Sequence, residues 1–186
     1  MRKGEFFTLS LFVLLGVCVM VSANNFLVVY LGLELMSLSL YALTALRRDH
    51  AMATEAAMKY FVLGALASGF LLYGLSMMYG ASGSLDIQRM FEVIGRGQAN
   101  PQVLTFGLVF IVAGLGFKLA VAPLQFYAPD VYQGTTNANA GLLAVAPKIA
   151  GIAGLVRLVV VAMPSSAEFA WQLALVLAIL TMTIGN

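Results

Sequence analysis

Long apolar runs, separated by short polar segments, follow one another along the whole chain. A helix that crosses the hydrocarbon core of a bilayer needs about 17 to 25 mostly apolar residues. We predict about six spans, at residues 6–21, 25–46, 51–79, 101 to a break near 123–129, 137–163, and 167 to the last residue. The runs are too long for barrel strands and show no alternation of period two, so they predict helices.

The polar stretch at residues 80–100 contains a short segment with a helical pattern. Its apolar residues recur at i, i+3, i+4 and i+7: Ile87, Met90, Phe91 and Ile94. Ser84 and Gly95 are suitable caps for its two ends. We predict an amphipathic helix near residues 84–95 that lies on the membrane surface as an anchor without chemistry. After it, Asn100 and Pro101 suit the N-cap and first position of the fourth span.

Composition supports a membrane protein. Of 186 residues, 61% are hydrophobic and only 10% are charged, and the net charge is +2. Soluble domains carry roughly 25% charged residues, and a charge this small does not fit nucleic-acid binding. The only cysteine, Cys18, and the only histidine, His50, cannot together form a disulfide, an iron–sulfur site or a zinc site.

Basic residues predict the orientation of the spans. Arg2 and Lys3 precede the first span, and Arg47 and Arg48 follow the second. Two crossings place both clusters on one side, which the positive-inside rule makes cytoplasmic. The basic start and first apolar run could also indicate a signal peptide, but further spans of the same character follow, so we favour a span.

Four charged residues fall inside the predicted spans: Glu34, Lys59, Lys118 and Lys148. Charges within a membrane are costly and mark functional sites by default, although a lysine near a helix end can instead extend to the headgroups. Glu34 lies about 18 Å inside its span. Lys59 lies about 15 Å deep if its helix starts near residue 49, but only about 8 Å deep if it starts near residue 54. The second and third spans are antiparallel neighbours, so Glu34 and Lys59 can reach similar depths.

Prolines accompany two of these lysines, and we predict helix breaks at Pro123, Pro129 and Pro147. Proline cannot donate a backbone hydrogen bond, and its ring crowds the carbonyl four residues earlier. A buried cation beside a broken helix is typical of ion-transporting membrane proteins. The segment at residues 124–134 fits either an interfacial turn with tyrosines or a re-entrant cover over an ion path, and Asp130 could cap its turn.

These charges suggest a mechanism. Burial disfavours the charged form of an amine and a nearby carboxylate favours it. A Lys–Glu contact that opens and closes would therefore change the proton affinity of neighbouring groups. We expect Glu34, Lys59, Lys118 and Lys148 to form a chain of titratable groups for proton translocation.

The same stretches carry a resemblance to a known family. They are Leu31-Gly32-Leu33-Glu34-Leu35, Glu55-Ala56-Ala57-Met58-Lys59-Tyr60-Phe61, Gly114-Leu115-Gly116-Phe117-Lys118, Ala128-Pro129-Asp130-Val131-Tyr132-Gln133-Gly134 and Pro147-Lys148. In this order and spacing the chain resembles the antiporter-like membrane subunit N of proton-pumping NADH–quinone oxidoreductase, respiratory complex I. The similarity covers essentially the whole chain.

The resemblance implies an all-α integral membrane fold: a polytopic bundle with one broken helix. Residues 1–163 would form one five-helix antiporter-like repeat, with its break near 118–130, and residues 164–186 the first helix of a second, truncated repeat. Glu34 would be the modulating acid, Lys59 and Lys118 the paired and central lysines, and Lys148 the relay onward. One departure is that Gln125 and Tyr127 stand where the family usually has histidine and tryptophan.

The implied function is proton translocation driven by redox chemistry in partner subunits. NADH, FMN, iron–sulfur clusters and quinone would sit in those partners, and this chain would hold no cofactor or metal. Its partners would be other membrane subunits of complex I and the lipid of a bacterial inner membrane. The alternatives are a multisubunit cation/proton antiporter without a redox partner and a structural scaffold that does not pump.

Overall fold

The computed structural model describes residues 3–157 and 167–185. Within them the chain forms α1 (Lys3–Ser22), α2 (Phe26–Thr44), α3 (Ala51–Ser82), α4 (Ile87–Gly95), α5 (Pro101–Leu119), a 3-10 helix (Leu124–Tyr127), α6 (Ala128–Gly134), α7 (Asn137–Val156) and α8 (Ala167–Gly185). No strand is present in these two ranges. Arg2, the predicted end of the fifth span at residue 163 and the predicted domain boundary lie outside them.

Five segments are long and apolar enough to cross a membrane: Gly4–Ser22, Phe26–Thr44, Ala51–Ser82, Pro101–Gly134 and Asn137–Val156. The sixth predicted span corresponds to α8, whose apolar stretch Trp171–Ile184 is shorter. The predicted all-helical membrane fold is thus confirmed. The division into a complete repeat and a truncated one stays a prediction.

Close helix contacts occur where glycines meet a neighbouring backbone. α1 packs along α2, and α3 packs along α5. A side chain at Gly16 of α1 would come within 2.6 Å of the Met36 backbone nitrogen in α2, and one at Gly74 of α3 within 2.7 Å of the Gly107 carbonyl in α5. The missing side chains let the helix backbones approach closely, as small residues do in membrane bundles.

The surface helix α4 forms, but both predicted caps are wrong by two residues. Asp86, not Ser84, is the N-cap, and its carboxylate accepts a hydrogen bond of 2.9 Å from the Arg89 amide. At the other end the left-handed residue is Gly97, with φ of 67°, whereas Gly95 is still helical. The stronger cap at each end wins, because a carboxylate accepts well from amides and glycine adopts positive φ without a steric penalty.

Backbone hydrogen bonds join α4 to the start of α2. The Phe26 amide donates to the Leu85 carbonyl over 2.9 Å, and the Ile87 amide donates to the Asn24 carbonyl over 3.0 Å. The side chains of Ile87 and Met90 are buried against the bundle.

The long helix α3 begins at Ala51, between the two starts that were predicted for it. Lys59 therefore lies about 12 Å along this helix.

The start of α5 agrees with the sequence. Asn100 is its N-cap, the Asn100 side-chain oxygen accepts a hydrogen bond of 3.0 Å from the Gln102 amide, and Pro101 occupies the first turn. The C-terminal end of α5 and the packing of α5 against α7 set the positions of Lys118 and Lys148.

Candidate functional site

The centre of the site is one face of α2. Glu34, Ser37 and Tyr41 follow at i, i+3 and i+7, so all three project from the same side of the helix. Ser37 and Tyr41 are buried. Three side chains that can hydrogen-bond thus line one stripe of this mostly apolar helix.

Lys118 reaches this stripe from the last turn of α5. Its ammonium nitrogen Nζ donates to Ser37 Oγ over 2.8 Å and to Tyr41 Oη over 3.1 Å. Only 2% of Lys118 is exposed, and Nζ lies 5.5 Å from the centre of the Tyr41 ring. Lys118 therefore points into the bundle, and the alternative in which it extends to the headgroups is wrong.

The predicted helix break is what leaves Lys118 at a helix end. α5 stops at Leu119, and Ala120 adopts the left-handed conformation with φ of 55°. The Val121 amide donates to the Gly116 carbonyl and the Ala120 amide to the Phe117 carbonyl, both over 3.0 Å, which is the Schellman pattern of helix termination. Ala120 lacks the freedom of glycine, so this turn is locally strained.

Neighbouring helices support the interrupted segment. The Ala122 amide donates to Thr181 Oγ1 of α8 over 3.1 Å. The Tyr127 hydroxyl donates to the Phe117 carbonyl over 3.0 Å, and the Tyr127 ring stacks on the rings of Phe117 and Tyr60. The Thr181 contact satisfies an amide that the break leaves without a helical partner, and the Tyr127 contact is a second hydrogen bond to the Phe117 carbonyl.

Glu34 lies one turn from Ser37 on the same face of α2. Its oxygen Oε1 is buried and has no hydrogen-bond partner among the residues that the structure describes. No ion pair joins Glu34 to Lys118 in the same part of the chain. An acid and an amine thus share an enclosed region without being bonded to each other.

Lys148 lies in α7 and is half-buried. Its Nζ donates to the hydroxyl of Tyr132, in α6, over 3.2 Å and lies 5.8 Å from the centre of that ring. The predicted helix break at Pro147 is wrong, since α7 continues through this proline to Val156. Membrane helices tolerate an internal proline because neighbouring helices and local adjustments satisfy the freed carbonyl.

Lys59 has different partners from those expected. Its Nζ lies 2.7 Å from Asp130 Oδ2 in α6 and 2.9 Å from Glu55 Oε1 in its own helix. The side chain is 45% exposed, and it is bonded to these two acids rather than to Glu34. The prediction that Asp130 caps a turn is wrong: it lies inside the first turn of α6, whose N-cap is Tyr127, and its carboxylate binds Lys59.

The segment that follows the break belongs to the packed core. Tyr127 and Val131 are buried, whereas Pro123 and Pro129 are exposed. Pro129 lies in the first turn of α6, so it starts a helix and does not interrupt one. Gly134 fits against Ala56 of α3 without room for a side chain, and this close contact sets α6 beside Lys59.

Sequence reasoning missed the groups that hold the lysines: Ser37, Tyr41, Asp130 and Tyr132. Ser37 and Tyr41 could have been found from their helical spacing to Glu34. Asp130 and Lys59 are 71 residues apart in sequence, and no local pattern marks them as partners. In residues 3–157 and 167–185, no group of three His, Cys, Asp or Glu side chains could hold a metal ion.

The fold and the site together define a class: a polytopic helical membrane protein with an amine and an acid enclosed beside a broken helix. Residues 23–186 match the family model described as the transmembrane domain of NADH:quinone oxidoreductase and the Mrp antiporter. The chain belongs to this family, and the resemblance seen in the sequence is confirmed.

Among curated relatives, NADH-quinone oxidoreductase subunit N of Herminiimonas arsenicoxydans is 60% identical over 183 residues, which cover 98% of this chain and 37% of that protein. A chain of respiratory complex I from Thermus thermophilus is 39% identical, with a TM-score of 0.73, and covers 82% of this chain and 34% of its own length. The present chain thus spans little more than a third of its relatives.

A chain of the Mrp complex from Dietzia shares the fold, with a TM-score of 0.82, 23% identity, and coverage of 95% of this chain and 33% of its own length. The apolar helices, the family and the bacterial relatives confirm the predicted multi-pass location in a bacterial inner membrane.

Proposed function

We propose that this chain carries part of the proton path of a membrane subunit of NADH–quinone oxidoreductase. Lys118 is the observation that carries the proposal. It is an amine enclosed in the bundle and held by two neutral hydroxyls, and no carboxylate of the described residues is paired with it. The buried Glu34 oxygen belongs to the same face of α2 as these hydroxyls. A carboxylate partner would hold the amine in its charged form. Without one, Lys118 is free to lose and regain a proton.

The path in this proposal uses Glu34, Lys118 and Lys148. Glu34 changes the electrostatic environment of Lys118, and Lys148, bound to Tyr132 of α6, accepts the proton next. Lys59 has a different role, because its two bonded carboxylates keep it charged and join α3 to α6. It acts as a fixed charge beside the path and does not exchange protons.

The energy for transfer would come from partner subunits. The relatives named as subunit N belong to NADH-quinone oxidoreductase, so NADH, flavin, iron–sulfur clusters and quinone would be bound by other chains of the complex. In this proposal the chain is an enzyme subunit that moves protons and holds no redox group, with other membrane subunits of the complex as its partners.

The test is proton pumping by membrane vesicles that contain the full-length subunit in its assembled complex. We expect Lys118→Met and Glu34→Gln to lose most NADH-driven pumping. Arg96→Gln is the matched control, because it removes a charge whose partner, Glu92, is on the exposed face of α4. Pumping by Lys118→Met at the rate of this control would reject the proposal.

The family also includes antiporter subunits, so sodium must be varied. A redox-driven proton pump keeps its pumping when sodium is absent from the medium, whereas a sodium/proton exchanger does not. The 60% identity to subunit N favours the pump, since the likeness to the Mrp chain at 23% identity bears on the fold alone.

A further inference from the structure

Two lysines in separate helices each bind a tyrosine hydroxyl. Lys118 lies 3.1 Å from the hydroxyl of Tyr41 and also 2.8 Å from that of Ser37. Lys148 lies 3.2 Å from the hydroxyl of Tyr132. In each case the amine lies at the hydroxyl end of the tyrosine, 5.5 Å and 5.8 Å from the respective ring centres.

The third lysine inside a span shows the contrast. Lys59 is bonded to two carboxylates, Asp130 and Glu55. An ionised carboxylate can only accept hydrogen bonds, whereas a tyrosine hydroxyl can both accept and donate. A carboxylate therefore suits an ammonium group alone. A hydroxyl suits both forms of the side chain, because it accepts from the ammonium and donates to the lone pair of the neutral amine.

We propose that Tyr41 and Tyr132 are positioning residues that keep Lys118 and Lys148 in place in both protonation states. When either lysine releases its proton, the hydroxyl reverses its role from acceptor to donor, and the nitrogen stays where it was. This inference rests on the proposed function, and it adds the reason why these two lysines exchange protons.

Aromatic packing connects Tyr41 to the segment that precedes α6. The Tyr41 ring meets the Tyr60 ring edge-on at 4.7 Å, and Tyr60 stacks on Tyr127 at 5.3 Å with an angle of 6° between the planes. Tyr127 is followed directly by α6, which carries Tyr132. The hydroxyl of Tyr41 is thus held by ring packing, and Tyr132 is placed by the helix that begins after Tyr127.

The test uses Tyr41→Phe and Tyr132→Phe in the full-length subunit within its complex. Phenylalanine keeps the ring and removes the hydroxyl. We expect protons pumped per unit time to fall about tenfold, the effect of one lost hydrogen bond to a charged group. Tyr73→Phe is the matched control, because its ring packs on Phe110 and its side chain is 52% exposed.

The rates in H2O and D2O supply a readout that packing alone does not change. We expect the ratio of the two rates to rise in Tyr41→Phe and Tyr132→Phe, because proton exchange at the lysine becomes the slow step. Rates are normalised to the amount of complex in the membrane, measured by immunoblot. Each lysine has its own tyrosine, so if one variant does not assemble the other carries the test.

A Lys148→Met variant separates the two hypotheses. If Lys148→Met pumps normally, the proposed function is wrong for this residue. If Lys148→Met stops pumping while Tyr132→Phe behaves like Tyr73→Phe, only the tyrosine assignment is wrong. If Tyr132→Phe pumps slowly but shows the isotope effect of the control, its hydroxyl is structural and the inference is overturned.

Discussion

Gly64 of α3 offers a way to disturb Lys118 without altering any charged or hydrogen-bonding group. A methyl group added there would overlap the hydroxyl of Tyr41 and lie 2.7 Å from its ring carbon Cζ. Ordinary contact begins near 3.4 Å, so the ring must shift by about 0.7 Å or more. The bond between Tyr41 and Lys118 is already 3.1 Å long, and such a shift breaks it.

Two opposing effects set the stability of Gly64→Ala. Overpacking costs about 1–3 kcal/mol, whereas replacing glycine by alanine inside a helix contributes about 0.5–1 kcal/mol. The net loss of stability is therefore about 2.5 kcal/mol at most, and the protein remains folded. Gly69→Ala, in the same helix with no atom within 4 Å of the added methyl, receives only the favourable effect.

We expect Gly64→Ala to pump protons about tenfold more slowly than Gly69→Ala, measured in vesicles and normalised to assembled complex. Adding Tyr41→Phe to Gly64→Ala removes the overlapping hydroxyl but keeps the ring carbon at 2.7 Å, so stability should recover in part while pumping stays low. Equal pumping by the two glycine variants would refute the reasoning. Recovery of pumping in the double variant would show that packing, not the hydroxyl, matters.

Three further substitutions test the fold around the site. Gly16→Leu places a side chain 2.6 Å from the Met36 backbone nitrogen and 2.7 Å from the Gly32 carbonyl. We therefore expect it to lower the free energy of unfolding by about 1–3 kcal/mol or more, seen as a lower melting temperature in detergent. Gly4→Leu should leave the melting temperature unchanged, because no described atom lies within 4 Å of a side chain added there. Asp130→Asn removes the ion pair between α6 and Lys59. We expect it to lower the melting temperature more than Glu55→Gln, which removes a partner of Lys59 within α3 itself. A larger decrease in Glu55→Gln would contradict the inference that Asp130 joins α6 to α3. Asn100→Ala removes the N-cap of α5 and should cost about 1 kcal/mol, whereas Asn100→Ser, which retains an acceptor, should cost less in the same measurement.

The spans were predictable from sequence because each must bury about 20 apolar residues, a strong local constraint. The break after Lys118 was also predictable, because Pro123 prevents the helix from continuing. The predicted break at Pro147 was wrong for a reason that lies outside the local sequence. Both prolines carry the same local penalty, and only the surrounding helices, which sequence does not show, decide whether the chain stops or continues.

The partners of the lysines were harder to predict than their depth. Charges in an apolar run are visible in sequence, so Lys118 was found. Which hydroxyl or acid it meets depends on helix rotation and crossing. Lys118 and Ser37 are 81 residues apart, and the pairing follows from the packing of α2, α3 and α5. Lys59 illustrates this limit. Its predicted depth was similar to that of Glu34, which suggested Glu34 as its partner, whereas the rotation of its helix places the amine beside Asp130.

The Schellman turn at Ala120 has an electrostatic consequence of its own. A helix that ends inside the bundle leaves carbonyl dipoles aligned at its terminus, equivalent to roughly half a negative elementary charge. Lys118 sits in that last turn, so part of its counter-charge is supplied by the backbone. No side-chain substitution removes this contribution, and no proton neutralises it. The charge of Lys118 would therefore keep part of this electrostatic support even where Glu34 is absent.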